Sequence, residues 1–291
     1  NTRGPNDSQK TKSNTEDDFG ASQRVRLQLD AVASEALSGT VFFELGDQAW
    51  GKSEDGGALG ADGKVVKVKN AYIDWLIPNT DARVRMGLQA TAVPNAAGGS
   101  AIMDCDSAAL VVNYKFNDNV GFTAMWSRPV NDNFGEDYFD ENGKKSTEKS
   151  NYLDNIDLFM LSVPLSFDGV EVTPWAMYGA IGPNAFRKDG NWLSDTGSKD
   201  LGNAYRNMAS GMLPVGGSLH KDGTSASKRL YEYGNAVWAG LTGDVTMFDP
   251  FRIAWDVNYG SVTYDDSRLN RSGWLASLLF EYKMDWGIPG L

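Results

Sequence analysis

Polar and apolar residues alternate one by one through several segments of this chain. In Gln23–Ala31, Val25 and Leu27 alternate with Arg24 and Arg26. The same alternation returns in three later segments: Arg83–Gln89, Arg252–Tyr259 and Gly273–Lys283. A period of two places successive side chains on opposite faces of a β-strand. No long stretch has the period of an amphipathic helix, so the sequence predicts an all-β fold.

Further segments have β character with a weaker alternation. They are Thr40–Trp50, Val66–Ile77, Ser107–Phe116, Val120–Arg128, Ile156–Phe167, Val170–Ile181 and Ala236–Val245. This gives about eleven strands, most of them near ten residues, which is the length a tilted strand needs to cross a bilayer.

The connections between these strands alternate in length along the whole chain. The tight ones are Ser34–Ser38, Pro78–Asp81, Asn117–Asn119, Asp168–Gly169 and Phe248–Pro250. The long polar ones are Asn1–Ala21, Gly51–Lys64, Ala90–Asp106, Pro129–Asn155, Gly182–Asn235 and Asp265–Arg271. A transmembrane antiparallel up-and-down β-barrel has short periplasmic turns and long outer loops. A soluble sandwich has no reason to separate its connections in this way, so the alternation favours the barrel.

Composition excludes several classes of protein. A net charge of −11 leaves no excess of Lys and Arg for nucleic acid. One cysteine, Cys105, and one histidine, His220, exclude a disulfide framework and disfavour most catalytic or zinc sites. Gly56–Lys64 has Ala58 and Val65 where a phosphate loop needs Gly and Ser or Thr. We therefore expect a protein that is not an enzyme and needs no cofactor.

Aromatic residues fall on the predicted strands or close to their ends. Examples are Trp50, Trp75, Tyr114, Phe116, Trp126, Phe167, Tyr178, Trp274 and Tyr282. Aromatic rings form girdles at both membrane interfaces of a barrel, but they are also ordinary β-formers and core residues. The alternating connections favour the girdles.

Several stretches resemble the trimeric outer-membrane porins of sulfate-reducing bacteria of the Desulfovibrio type. They are Phe19–Leu29, Asn70–Trp75, Ala97–Ile102, Asn151–Phe159 and Val172–Trp175. The similarity extends over the chain except for the inserts around Phe139–Ser150 and Arg187–Ser227.

The resemblance implies a homotrimeric porin in the outer membrane of a Gram-negative bacterium, in contact with membrane lipid and lipopolysaccharide. Residues 1–291 would be a single porin β-barrel domain that is incomplete at both ends, because family members begin with another strand and continue further. An odd strand count and two open edges agree with this expectation. About sixteen strands would complete a water-filled barrel.

Porins of this architecture have a loop that folds into the barrel and narrows it. We expect residues 90–106 to be this constriction loop, since Ala92–Ala101 is small and apolar and is followed by Asp104 and Asp106. A loop folded outward is the alternative.

Four arginines are expected to line the pore, because arginine on the lipid face of a barrel is costly. They are Arg24, Arg26, Arg83 and Arg85. Facing Asp104 and Asp106, they would set up a transverse field across the narrowest point. Alternatively, they form ion pairs with Glu44, Asp30 or Asp74 on neighbouring strands.

Three functions remain open. The first is a general diffusion porin for passive passage of small hydrophilic solutes and ions. The second is a substrate-specific channel with a binding track for one solute class, and the third is a soluble β-sandwich or adhesin. A structural Ca²⁺ site is a further hypothesis, with Asp137, Asp140 and Glu141 as candidate ligands that lack the spacing of an EF-hand loop.

Overall fold

The computed structural model describes residues 20–53, 57–60, 66–131, 138–139, 145–146, 155–182, 233–264, 267 and 270–284. The long elements in these residues are all β-strands. The longer strands are β1 (Ser22–Ser34), β2 (Leu37–Ala49), β3 (Val66–Leu76), β4 (Ala82–Ala92), β5 (Asp104–Lys115), β6 (Gly121–Asn131), β9 (Asn155–Ser162), β11 (Val170–Ile181), β12 (Gly234–Val245), β13 (Phe251–Tyr264) and β14 (Arg271–Tyr282). The short strands are β7 (Tyr138–Phe139), β8 (Lys145–Ser146) and β10 (Leu165–Phe167).

The predicted all-β class and the predicted long strands are confirmed. One strand differs, because the segment predicted as Ile156–Phe167 is divided into β9 and β10. Pro164 lies at the division, where a missing backbone N–H cannot continue the ladder. No helix in the described part of the chain is long and apolar enough to cross a membrane.

The main sheet is an antiparallel up-and-down meander. Its strand order is β1-β2-β3-β4-β5-β6-β9-β11-β12-β13-β14, with β10 paired beside it to β11. Pairing is continuous over long stretches, as from Val170 opposite Val245 to Ile181 opposite Gly234. Within the described residues, β1 and β14 stand at the two ends of this order and do not pair with each other.

The chain divides into two compact units. Unit 1 takes in Asn1–Gln28 and Phe42–Val68, and unit 2 takes in Leu29–Val41 and Lys69–Leu291.

The sheet of unit 2 has two faces of opposite character. We call one the covered face, because the connection 93–103 between β4 and β5 lies on it. Its residues include Arg83, Arg85, Gln89, Met125, Met160, Met177, Trp238 and Asp256. We call the other the apolar face, because large apolar side chains stand exposed on it. These include Met86, Trp126, Phe159, Leu161, Tyr178, Val237, Val257, Trp274 and Leu278.

Gly87 interrupts β4 with a backbone that other residues rarely adopt. Its φ is 129°, and a Cβ there would meet the carbonyl oxygen of Ala71 on β3. We expect Gly87→Ala to lower the free energy of unfolding by about 1–3 kcal/mol. The control is Gly273→Ala, since no atom lies within 4 Å of a Cβ at Gly273. Equal urea midpoints for the two variants would contradict this expectation.

Candidate functional site

The connection 93–103 has a defined structure of its own. Its two stems are joined where Val93 N–H donates to the Met103 carbonyl at 3.1 Å. The Ser100 hydroxyl accepts hydrogen bonds from the amides of Ile102 and Met103, and Asn95 accepts one from the Gly99 amide. We call this segment the crossing loop. These local bonds hold it in one conformation on the sheet.

The crossing loop is packed onto an apolar row of the covered face. Val93 and Met103 are each only 1% exposed. They belong to one cluster with Met125, Met160 and Met177, which are directly paired across β6, β9 and β11. Burying a Val or Met side chain contributes about 1.5–3 kcal/mol. Apolar burial therefore holds the stems of the loop against the sheet.

A single carboxylate anchors the tip of the crossing loop. Asp256 on β13 accepts hydrogen bonds from the backbone N–H of Ala96 at 2.8 Å and of Ala97 at 2.9 Å. Its side chain also accepts one from the hydroxyl of Thr242, and Asp256 is only 4% exposed. Five strands lie between β4, where the loop begins, and β13. The crossing loop thus spans the covered face from β4 to β13.

Arg252 makes a second contact with the tip of the crossing loop, next to that of Asp256. Its guanidinium donates to the Ala96 carbonyl at 3.2 Å. It also forms ion pairs with Asp244 on β12 and, at 2.6 Å, with Glu281 on β14. Arg252 therefore joins the loop tip to three neighbouring strands.

Asp74, Arg83 and Arg85 form a charge cluster on the covered face. Arg83 donates two hydrogen bonds to the Asp74 carboxylate, at 2.7 and 2.6 Å, and Arg85 donates two more, at 3.0 and 2.6 Å. The Arg85 guanidinium also lies 4.3 Å from the ring centre of Tyr72. Two guanidinium groups share one carboxylate, so the cluster has a formal charge of +1. It borders a cavity of about 200 Å³ that also contacts Asn113 and Thr123.

Unit 1 contains a similar cluster of two arginines and one carboxylate. Arg26 donates to the Glu44 carboxylate at 2.9 Å, and Arg24 lies 3.8 Å from it. Both clusters follow from an Arg-Val-Arg segment opposite an acidic residue on the paired strand. The predicted ion pairs of the four arginines with Glu44 and Asp74 are therefore present. The third predicted partner, Asp30, accepts a hydrogen bond from the Thr40 hydroxyl.

The structure does not bring Asp104 and Asp106 to the arginines of unit 2. β5 already begins at Asp104, and the two residues lie opposite Ala92 and Ala90 of β4. Alternation along β4 then places them on the face opposite to Arg83 and Arg85. Asp106 instead pairs with Lys69 at 3.1 Å. The predicted arrangement of these two carboxylates facing the arginines is therefore wrong, because the loop ends at Met103, three residues earlier than expected.

The apolar face has aromatic side chains at two levels. Five lie near the tight turns: Trp75, Tyr114, Phe167, Phe251 and Tyr282. Another group lies toward the long connections: Trp126, Tyr178, Tyr259 and Trp274. Trp274 is 78% exposed, and aliphatic side chains such as Leu278 lie between the two levels. Exposed apolar surface of this extent on a water-soluble monomer is unusual.

Sequence reasoning identified the crossing loop and the arginine clusters but missed the anchor. Asp256 and Arg252 occupy polar positions of an alternating strand, which is the one signal that marks them. The three candidate calcium ligands, Asp137, Asp140 and Glu141, lie outside the described residues. Within the described ranges, no group of three His, Cys, Asp or Glu side chains is placed to hold a metal ion.

No protein-family model matches the chain, and no curated protein matches it. Several solved outer-membrane protein structures are similar at low identity. OmpT of Vibrio cholerae, folded in vitro and in its trimer form, is 11% identical, with 92% of this chain and 80% of that chain covered and a TM-score of 0.43. A porin refined at 1.8 Å is 11% identical over 92% and 85% of the two chains, with a TM-score of 0.42. The outer-membrane channel DcaP of Acinetobacter baumannii is 10% identical over 89% and 73%, with a TM-score of 0.41. TM-scores below 0.5 do not assign a fold, so the fold class rests on the strands themselves.

Proposed function

We propose that this chain forms an outer-membrane channel of the porin type, which passes small hydrophilic solutes and ions by passive diffusion. The observation that carries the proposal is the polarity of the sheet in unit 2. Its exposed face is apolar and has aromatic residues at two levels, whereas the ion pairs of Arg83, Arg85 and Arg252 and most of the buried polar side chains lie on its covered face. The ion pairs on the apolar face, Arg128 with Asp157 and Lys69 with Asp106, lie toward the ends of the strands that meet the long connections. A soluble protein has the opposite distribution, and a membrane barrel has this one.

The crossing loop supports a narrowing of the channel. It lies on the face that would line the lumen, and it is anchored to β13, with five strands between β13 and β4. A segment fixed in this way reduces the open cross-section and sets the size limit for solutes. This role extends the prediction for residues 90–106, with the loop proper limited to residues 93–103.

The charge clusters support a role in ion selectivity. The cluster of Arg83, Arg85 and Asp74 has a formal charge of +1 next to an open cavity. A fixed positive charge in a narrow channel attracts anions and repels cations. We propose the same role for Arg24 and Arg26 with Glu44.

Assembly and location follow from the same proposal. A homotrimer, contact with lipopolysaccharide and an outer membrane of a Gram-negative, sulfate-reducing bacterium are the expectations that the sequence resemblance raises. Light scattering of the refolded protein in mild detergent tests the trimer, and a monomeric species would contradict it.

The decisive experiment is planar-bilayer recording of the purified protein. We expect stepwise openings, current that rises in proportion to salt concentration, and a reversal potential in a salt gradient that reports the selectivity. Grouping of the steps in threes would support the trimer. Current that saturates, or that one solute blocks, favours the substrate-specific channel instead. Folded, inserted protein without conductance would overturn the channel proposal and leave an anchor or adhesin.

Two adjacent leucines on β14 test whether the apolar face meets lipid. Leu278 lies on the apolar face, midway between Trp274 and Tyr282, and Leu279 lies on the other face opposite Ala254. Leu278→Arg is expected to lower the free energy of unfolding in liposomes by about 2–4 kcal/mol, since a charge near the bilayer midplane is poorly solvated. Leu279→Arg should lower it by less, because Glu281 lies on the same face as Leu279 and offers the new arginine a partner. Urea unfolding in liposomes measures both, and equal costs would contradict a lipid-facing Leu278.

A further inference from the structure

A cavity lies on the covered face over the last three strands of the sheet. Its volume is about 350 Å³, within the range of small-molecule sites. Strands β12, β13 and β14 form its floor, and Ile102 of the crossing loop contributes to its wall. We call it the β14 groove.

Two glycines directly opposite each other open this groove. Gly260 on β13 pairs with Gly273 on β14, and Gly260 also pairs with Trp238 on β12. The indole of Trp238 lies over Gly260, where a Cβ would approach it to 2.8 Å. Over Gly273 there is no atom within 4 Å of the position of a Cβ. The indole therefore forms one side of the groove, and the missing side chain at Gly273 leaves its floor open.

Polar groups stand at opposite ends of a mostly apolar groove. Arg271 precedes Gly273 by two residues on the same strand face, and Leu275 follows it by two. Asn258 is paired with Leu275, so Asn258 and Arg271 border the groove at different levels. Between them the lining includes Ile102 and Trp238, and Leu275 lies beside Asn258. A ligand that fits has an apolar body with a charged group at one end.

The side-chain amide of Asn258 supplies a polar group at the wall of the groove. Its Oδ1 atom is buried over Gly240, next to the buried Nε1 atom of Trp175, since a Cβ at Gly240 would meet both atoms. This acceptor and this donor therefore face each other, on the side of Asn258 away from Gly273. An amide also has an NH2 group, and with Oδ1 turned toward Trp175 this NH2 group is the one that can donate to a ligand hydroxyl.

We propose that the β14 groove binds a small aromatic carboxylate. The carboxylate is held by the Arg271 guanidinium, the ring lies over Gly273 between Ile102, Trp238 and Leu275, and a ring hydroxyl accepts a hydrogen bond from the Asn258 side-chain amide. Charge-assisted bonds from arginine to a carboxylate are strong and directional. The proposal deepens the channel function and rests on it, since the groove would then be a binding track beside the constriction.

Binding to the protein in detergent micelles is measured independently of conductance. The probes are benzoate, 4-hydroxybenzoate and the neutral isostere benzamide. Their binding is monitored by ligand-observed NMR, with protein-free micelles as the blank. We expect saturable binding of benzoate, binding of 4-hydroxybenzoate that is about two- to tenfold tighter, and benzamide weaker than benzoate. If the protein conducts but benzoate does not bind, the groove proposal fails and the channel stands. If benzoate binds to a protein that does not conduct, the channel proposal fails.

Two variants locate the site. Gly273→Val fills the open floor, where no atom lies within 4 Å of the new Cβ, and it should weaken benzoate binding by about tenfold or more, a difference of about 1.4 kcal/mol. Arg271→Gln should weaken benzoate binding and leave benzamide binding unchanged. The control is Ala276→Val, which places the same side chain on the opposite face of β14 and outside the lining of the groove. Equal loss in Gly273→Val and Ala276→Val would overturn the proposal, as would unchanged benzoate affinity in Arg271→Gln.

Discussion

Replacing Asp256 by alanine is expected to detach the tip of the crossing loop. The change removes the acceptor for the amides of Ala96 and Ala97, and hydrogen bonds to a charged group contribute about 1.5–3 kcal/mol each. Loss of both bonds exceeds the remaining hold of Arg252 on the Ala96 carbonyl. We expect faster hydrogen exchange at Ala96 and Ala97, and larger, noisier single-channel currents.

Glu171→Ala is the matched control for this change. Glu171 is an exposed carboxylate on β11, so its replacement removes the same charge without a contact to the loop. It should leave hydrogen exchange in the crossing loop unchanged. Asp256→Asn keeps one oxygen acceptor and should give an intermediate effect. If the peptide 93–103 exchanges at the wild-type rate in Asp256→Ala, then the apolar packing of Val93 and Met103 and the contact of Arg252 with Ala96 are sufficient to fix the loop.

The second large effect is expected in ion selectivity. Replacing both Arg83 and Arg85 by glutamine converts a cluster of formal charge +1 into one of −1 around Asp74. A unit charge a few ångströms from an ion contributes about 1 kcal/mol in water, which corresponds to about fivefold in relative permeability. The reversal potential in a salt gradient should therefore shift toward cation preference. Asp74→Asn should shift it the other way.

Arg128 provides the control for loss of an arginine. It pairs with Asp157 at 2.8 Å on the apolar face, beside the exposed ring of Trp126. Arg128→Gln should leave the reversal potential near the wild-type value. Because salt screens fixed charges, the change in reversal potential caused by replacing Arg83 and Arg85 should become smaller at high ionic strength. A shift of equal size in Arg128→Gln would show that the position of the charge relative to the channel does not matter.

The fold was predictable because polar and apolar residues alternate within each short stretch that forms a strand, and this alternation shows which residues share a face. Alternation such as that of Arg24 to Leu27 needs no knowledge of distant residues, and the boundaries of β11 match the predicted segment Val170–Ile181. The irregularities within the strands were harder to predict from the sequence. Pro164 divides one predicted strand, and the positive φ of Gly87 depends on its approach to Ala71, a residue of the neighbouring strand.

The site was predictable in part, for the same physical reason. The pairing of Arg83 with Asp74 follows once two strands are placed side by side, because their separation in sequence is short. The contact of Asp256 with Ala96 joins residues 160 positions apart, and no local pattern marks it. The error at Asp104 and Asp106 arose from a loop boundary, since a shift of three residues turned two loop carboxylates into strand residues.

The anchored crossing loop has a mechanical consequence. A β-sheet bends easily about axes parallel to its strands, so the separation of two distant strands fluctuates. Here β4 and β13 are connected by a short covalent segment whose far end is held by Asp256 and Arg252. The loop therefore limits the distance between β4 and β13. Any increase in this distance first lengthens the hydrogen bonds that Asp256 and Arg252 make with the loop tip. The size limit of the passage would then depend on the length of one peptide segment and would change little with the lateral pressure of the surrounding lipid.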